Sequence, residues 1–349
     1  MAQTTGTTHH IVALETIHCP IPEFKLPPSH SYTLTSYHRT PPPDLHSRIR
    51  TATIILTSIC RLDATALSAQ VTPHLKMVAV MASGTDCVDL SACASRGIRV
   101  SNCPGANVEA VAEHAMGLYF ATRRNMMPLC RAVVEDEYAR SGSLIAKMRV
   151  RGRGPRTLRE ETMGVVGYGA IGKRIAELAK ALGMRVIIAD RKAARTAANS
   201  VGDVNGVLRT PFEELLFQAS VLVLCCPLTP DTRNLLSVRE FEVMQPDAVV
   251  INVSRGGVVD ERALLGALKK GQTGEGGGIA GAGIDVFLQE PAGSDNNILV
   301  RGAIEKSGLK LVLTPHVAWY AEQTLANLQS LVKQCIEGWV GGVGVNVVA

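Results

Sequence analysis

Three side chains in the second half of the chain, Arg255, Glu290 and His316, could together handle a small anion and a proton. Each follows a run of strand-like apolar residues: Ala248–Val253 before Arg255, Ile279–Val286 before Glu290, and Leu309–Thr314 before His316. A guanidinium is always charged and offers a fork of donors that meets a carboxylate at two points. An imidazole with an ordinary pKa is only about a quarter protonated at pH 7, which is too little for a proton donor. A neighbouring carboxylate favours the charged ring and can shift it by roughly 1–3 units. Glu290 is the candidate for that carboxylate, and His316 is the only histidine after position 114. Taken singly, each residue also fits a plainer role: a surface ion pair, a solvated carboxylate before Pro291, a cap after Pro315.

What positions them is read from Gly164-Val165-Val166-Gly167-Tyr168-Gly169-Ala170-Ile171-Gly172. Its core is G-x-G-x-x-G: Gly167, Gly169 and Gly172. Apolar residues precede it, and Ile175, Ala176, Leu178, Ala179 and Leu182 follow at helical spacing. A second apolar run, Arg185–Ala189, closes on Asp190. Strand, glycine turn, helix, strand and terminal carboxylate are the parts a dinucleotide needs. The first glycine permits the tight turn, the second lets backbone approach the pyrophosphate, and the third lets helix and strand pack closely. The helix start offers unpaired N–H groups to phosphates, and Asp190 can accept from the adenosine ribose hydroxyls. In open parallel sheets ligands lie beyond the carboxyl ends of the strands. That is where Arg255, Glu290, Asp285 and His316 fall. An anion that gains a hydride and a proton would find its groups there.

The bulk composition agrees. The chain has 349 residues, 46% hydrophobic and 19% charged, with a net charge of +5 at pH 7. The length suggests two domains with ample cores. No apolar stretch reaches the roughly 18 residues that would cross a bilayer, and the start of the chain lacks the pattern of a secretory signal. The nine cysteines are scattered, without a C-x-x-C pair, and read as reduced thiols in a cytoplasmic protein. The basic run Lys147–Arg156 lacks interleaved aromatics, so it reads as a solvated loop rather than a nucleic-acid surface. No metal-ligand cluster stands out.

Taken in order, residues 10–105 alternate short strands and helices. Strands are expected at His10–Leu14, Tyr32–Tyr37, Thr53–Thr57, Met77–Met81 and Arg99–Asn102, and helices at Asp63–Ser68 and Asp89–Ser95. A long buried helix follows at Asn107–Arg124. It carries His114, which reads as a packed or partnered residue rather than a catalytic one. Beyond Asp190, a helix is expected at Phe212–Ala219 and a buried strand at Val221–Cys226. Asp260 caps a helix Glu261–Lys270, and Gly271–Gly278 reads as a glycine-rich loop. Ala321–Trp339 is a closing amphipathic helix. The fold class is α/β, with two Rossmann-like or flavodoxin-like parallel-sheet domains and an interdomain cleft.

The chain resembles the D-isomer-specific 2-hydroxyacid dehydrogenase family. The matching segments are Gly84–Leu90, Asn102–Gly105, Val111–His114, the glycine turn, Ile251–Asp260, Gly283–Phe287 with Glu290-Pro291, and Thr314–Trp319. Formate dehydrogenase shares part of this pattern but has Gln at the position of Glu290. The resemblance implies that residues 106–316 form an NAD-binding Rossmann domain with a dimerisation region. It also implies that 1–105 and 317–349 form a discontinuous, flavodoxin-like substrate or lid domain. Arg255 would hold the substrate carboxylate and polarise the keto group, His316 would be the general acid, and Glu290 its partner. Backbone near Ser83 and Gly84 would help bind the carboxylate, and Ser58-Ile59-Cys60, with Ile59 foremost, would wall the pocket. Ala170 and Ile171, Cys226, Val253 and Ser254, Asp285 and Trp319 would join the glycines and Asp190 around the cofactor.

The reaction expected is hydride transfer between NAD(H) and a small D-2-hydroxy or 2-keto acid: glycerate/hydroxypyruvate, glyoxylate, or D-lactate/pyruvate. Asp190 disfavours a 2′-phosphate, which selects NAD, whereas Arg191 and Lys192 directly after it keep NADP open. A phenylpyruvate-type reductase and a non-enzymatic NADH-sensing, corepressor-like protein are the alternatives. The expected partners are the small acid and a second copy in a homodimer, with neither nucleic acid nor membrane.

Overall fold

The structure, a computed structural model, describes residues 6–190, 208–305 and 308–349. It divides into two compact units, Met1–Asn107 with Tyr320–Ala349, and Val108–Trp319. The divisions fall after Asn107 and Trp319 rather than after residues 105 and 316. Val317 and Ala318 stay with the second unit because their N–H groups bind the carboxylate of Asp285.

The first unit is a five-stranded parallel sheet in the order β2-β1-β3-β4-β5. Its strands are β1 (Thr7–Ala13), β2 (His30–Ser36), β3 (Ile54–Thr57), β4 (Met77–Val80) and β5 (Arg99–Ser101), with helices α1 (Leu45–Ile49) and α2 (Leu90–Ser95). β3 and β4 are wholly buried, as continuous β-branched and apolar runs in a two-sided parallel sheet should be. β2, at the edge, is mostly exposed or half-buried. The closing helix Glu322–Val340 returns to this unit through buried Leu328, Val332 and Ile336.

Asp63–Ser68 is a chain of turns, not a helix. The side chain of Asp63 takes the Ala66 N–H and Arg96 takes the Leu67 carbonyl. The first turn is thereby satisfied without propagating, and so short a segment does not offset the cost of helix nucleation.

The second unit is a six-stranded parallel sheet. It opens with α3 (Val108–Arg123), followed by α4 (Met126–Val134), α5 (Glu137–Ser141) and α6 (Ile145–Met148). Then come β6 (Thr162–Val166), α7 (Ala170–Ala181), β7 (Arg185–Ile188), α8 (Phe212–Gln218), β8 (Val221–Leu224), α9 (Val238–Val243) and β9 (Val249–Asn252). α10 (Glu261–Thr273), β10 (Gly281–Ile284), α11 (Ile298–Glu305) and β11 (Leu311–Leu313) complete it. The strand order is β11-β10-β9-β8-β6-β7. The order therefore reverses between β6 and β8, which is where a doubly wound sheet opens its ligand crevice.

Asp260 caps α10, accepting from the N–H groups of Arg262 and Ala263. The helix runs three residues further than its polar exit suggests, to Thr273, and stops at Gly274, whose φ of +81° only glycine adopts readily. Gly271 is buried, and a Cβ there would lie 1.9 Å from the Ile279 carbonyl oxygen. The expected glycine loop is thus in part a close-packed helix end.

Candidate active site

The glycine turn lies at the carboxyl end of β6, beside β8. A Cβ on Gly167, at φ +96°, would fall 2.6 Å from the Cys226 nitrogen, and one on Gly172 would fall 2.0 Å from the Gly167 oxygen. A Cβ on Gly169 would meet nothing within 4 Å. Two glycines are therefore required by the protein's own packing, and the third keeps space open. Gly169 is also the N-cap of α7 and supplies no side-chain acceptor. Donors of the first helical turn face that space, which Ala170 and half-buried Ile171 flank. These residues fit a dinucleotide pyrophosphate. Cys225 donates its thiol to the Gly167 carbonyl at 3.0 Å and so braces the turn. Cys226 is buried, and burial raises its thiol pKa. Asp190 ends the strand segment after β7, where its N–H binds the Thr210 carbonyl. Arg191 and Lys192 lie outside the described residues.

After β9 the chain turns on Asn252. Its Oδ1 accepts from the N–H and hydroxyl of buried Ser254 at 3.1 and 2.6 Å, and its Nδ2 donates to the Arg255 carbonyl at 3.0 Å. Val253 is buried in the same turn. Gly256 follows, and a Cβ there would fall 1.9 Å from the Phe287 carbonyl carbon. Backbone against backbone, this contact draws the loop carrying Arg255 onto the loop carrying Glu290.

Glu290 is bound at both oxygens: Oε1 accepts from the Phe287 N–H at 2.9 Å, and Oε2 lies 2.7 Å from His316 Nδ1. Burial pushes the Glu290 carboxyl up. The hydrogen bond and charge of His316, the Phe287 N–H and the charge of Arg255 outweigh this, so its pKa sits below the usual carboxylate range. With Nδ1 engaged, Nε2 is the ring nitrogen left for proton transfer. Arg255, Glu290 and His316 thus share one electrostatic neighbourhood.

His316 sits at φ +54°, a left-handed conformation rare for a residue with a side chain. Such a residue costs of order 1–3 kcal/mol and persists only where its surroundings hold it. The holder is Asp285, fully buried at the end of β10. Its Oδ1 accepts from the Thr314 hydroxyl at 2.7 Å and the Val317 N–H at 3.0 Å, and its Oδ2 accepts from the Ala318 N–H at 3.1 Å. Its carbonyl takes the His316 N–H at 2.7 Å. His114, on α3, reaches Thr314 Oγ1 at 3.0 Å and Asp285 Oδ1 at 3.5 Å. The Trp319 indole donates to the His316 carbonyl at 3.0 Å. Asp285, expected against the cofactor, spends its carboxylate on the loop that bears the histidine. Being apolar on both sides in sequence, it gave no sign of that role.

In the first unit, one oxygen of buried Glu15 accepts from the Thr57 hydroxyl and from the N–H groups of Ser58, Ile59 and Cys60, at 2.9, 2.7, 2.6 and 2.9 Å. This turns the Ile59 side chain outward, 61% exposed. Sequence reasoning missed Glu15; its one signal is a carboxylate directly after the apolar run Ile11–Leu14. The Ser83 hydroxyl binds the Cys103 carbonyl and Asn107, whereas the N–H groups of Ser83 and Gly84 have no hydrogen-bond partner among the described residues. Among the described residues no cluster is disposed to hold a metal ion and no helix is long and apolar enough to cross a membrane.

Residues 116–318 match the family model described as D-isomer specific 2-hydroxyacid dehydrogenase, NAD binding domain. The chain is 35% identical to the glycerate dehydrogenase of Methylorubrum extorquens over 96% of each chain. It is 32% identical to the glyoxylate reductase of Thermococcus litoralis over 77% of this chain and 75% of that one. Its fold superimposes on the NADPH-dependent glyoxylate/hydroxypyruvate reductase of Sinorhizobium meliloti with a TM-score of 0.75, at 25% identity over 98% of both chains.

Proposed function

Because this chain belongs to the D-isomer-specific 2-hydroxyacid dehydrogenase family and transfers a hydride between a nicotinamide dinucleotide and a 2-hydroxy or 2-keto acid, we propose that its substrate is a short one, hydroxypyruvate or glyoxylate, run as reduction. The observation that carries this is the joined set of Arg255, Glu290 and His316 at the carboxyl end of the sheet. The bound nicotinamide supplies the hydride. Arg255 grips the carboxylate through two donors and steadies the negative charge that grows on the keto oxygen. His316 delivers a proton to that oxygen from Nε2, and Glu290 holds the ring in place through Nδ1.

Asp190 supports a preference for NAD, since its carboxylate repels a 2′-phosphate. A homodimer through residues 126–148 is supported by Met126, Met127, Val133, Val134, Tyr138 and Ile145, large apolar residues all more than half exposed. An exposed apolar surface of this kind marks an interface. A cytoplasmic location is supported by nine free cysteines.

The test follows NADH absorbance with hydroxypyruvate, glyoxylate, pyruvate and phenylpyruvate. The expected result is the highest kcat/KM on one of the first two. Preference for phenylpyruvate would overturn the substrate assignment. Tight NADH binding without turnover of any acid would favour a sensor.

A further inference from the structure

We infer that the amino end of the six-stranded sheet carries a second ligand site, for a small multivalent oxyanion. A cavity of about 730 Å³ opens there, within the usual range for small-molecule sites. Val249, Ala280 and Lys310, from the starts of β9, β10 and β11, contribute to its wall, and so does the segment 150–156. Coenzyme and substrate groups gather at the opposite, carboxyl end of the same strands, so this cavity is a different place.

Its charges do not balance. Arg123, Arg151, Arg153, Arg156 and Lys310 line it, against two carboxylates, Glu160 and Asp247. Arg123 is paired with buried Glu161 at 2.6 Å, and Arg156 with Asp247 at 2.7 Å. Glu160 is occupied by the N–H and hydroxyl of Thr157. Three cations therefore face the cavity without a carboxylate. Arg151 donates to the Glu275 carbonyl and Lys310 to the Met148 carbonyl. Arg153 has no side-chain hydrogen bond or ion pair among the described residues.

Keeping a lysine charged while half-buried beside an arginine is costly. Burial first, and then the charge of Arg123, pull the Lys310 pKa down to about 8. A multivalent anion reverses both effects, since it supplies acceptors to the ammonium and offsets the arginines. Pyrophosphate-type and polycarboxylate anions share this chemistry.

Calorimetric titration of the full chain with pyrophosphate and with citrate, each in saturating NADH, tests the site and separates the two sources. One anion per chain is expected, with the better probe naming the source. Affinity should fall at least tenfold in Arg153→Gln/Lys310→Met and weaken above pH 8 as Lys310 loses its proton. Lys310→Arg, which keeps the charge but changes the packing, should retain wild-type affinity, which separates lost charge from lost packing. Keto-acid turnover should stay within twofold in both variants, so failure here leaves the catalytic assignment standing. The inference is overturned by four outcomes: no saturable binding of either anion, displacement by NADH, loss of binding in Arg255→Leu, or unchanged affinity in the double variant. It is also overturned if only Glu135→Gln/Asp136→Asn/Glu137→Gln protein is monomeric and binds anion, because the cavity then seats the acidic turn of a second copy.

Discussion

The two ends of the six-stranded sheet handle charge in opposite ways. At the carboxyl end each ionised group is tied to another or to backbone: Glu290 to His316 and Phe287, Asp285 to the loop 314–318. At the amino end cations outnumber carboxylates, and three have none. The difference teaches where preorganisation has been invested. Loops at the carboxyl end are stapled by side chains of neighbouring strands, as a site holding geometry against strain requires. The amino end has staples of its own, buried Glu161 to Arg123 and Tyr119 and Arg156 to Asp247, and still has charge to spare.

The largest effect that would sharpen this contrast comes from Arg255. Arg255→Leu removes two charge-assisted bonds to substrate and should lower kcat/KM for hydroxypyruvate by about 10²–10⁴, given ~1.5–3 kcal/mol for each. Arg153→Leu at the opposite end should leave it within twofold. Steady-state assays of the two variants side by side decide, and equal losses would erase the distinction between the ends.

Asp285→Asn comes next. An amide in place of the carboxylate cannot accept from all of its present donors. A shift of the His316 loop should then cost about 10- to 100-fold in kcat, with ~1–3 kcal/mol of stability from unsatisfied buried donors. Wild-type kcat at an unchanged melting temperature would show that the staple holds nothing of consequence.

The glycine turn offers a finer comparison. Gly172→Ala forces a Cβ onto the Gly167 carbonyl and should destabilise by ~1–3 kcal/mol or more. Gly169→Ala meets open space, so stability should hold to within ~0.5 kcal/mol while the Kd for NADH rises. Thermal melts and NADH fluorescence titrations read the two effects separately. If Gly169→Ala binds NADH normally, the open space is not where the pyrophosphate lies.

The smallest effect is in pH. The Glu290 carboxyl has a lowered pKa in the fold. Its contribution to stability is therefore present above the ordinary carboxylate pKa and is lost as pH falls through the folded value. The pair is about a third exposed, so the effect is screened and small. Urea midpoints of wild type and Glu290→Gln should differ near pH 6 and converge below pH 3. A constant gap across that range would remove the ion pair from the explanation.

Much of the carboxyl end was legible in the sequence because its residues close apolar runs. Arg255 follows β9, His316 follows β11, and the glycines sit between a strand and a helix at fixed spacing. The staples were not legible. Asn252 and Asp285 look like ordinary strand termini, and their roles depend on which loop lies beside them. Helix limits also escaped. The segment Asp63–Ser68 has helical composition but is captured by Arg96, and α10 continues because Gly271 packs on Ile279. The amino-end cavity was out of reach for a similar reason. It gathers residues from 122 to 310, and the arginines of 151–156 read locally as a solvated loop.

The claim on which the rest depends is that His316 moves the proton. Measuring NADH oxidation by His316→Gln with hydroxypyruvate, together with its affinity for NADH, addresses this directly. The account predicts a loss in kcat of about 10²–10⁴ with NADH affinity within twofold of wild type. Turnover within about fivefold of wild type would contradict it.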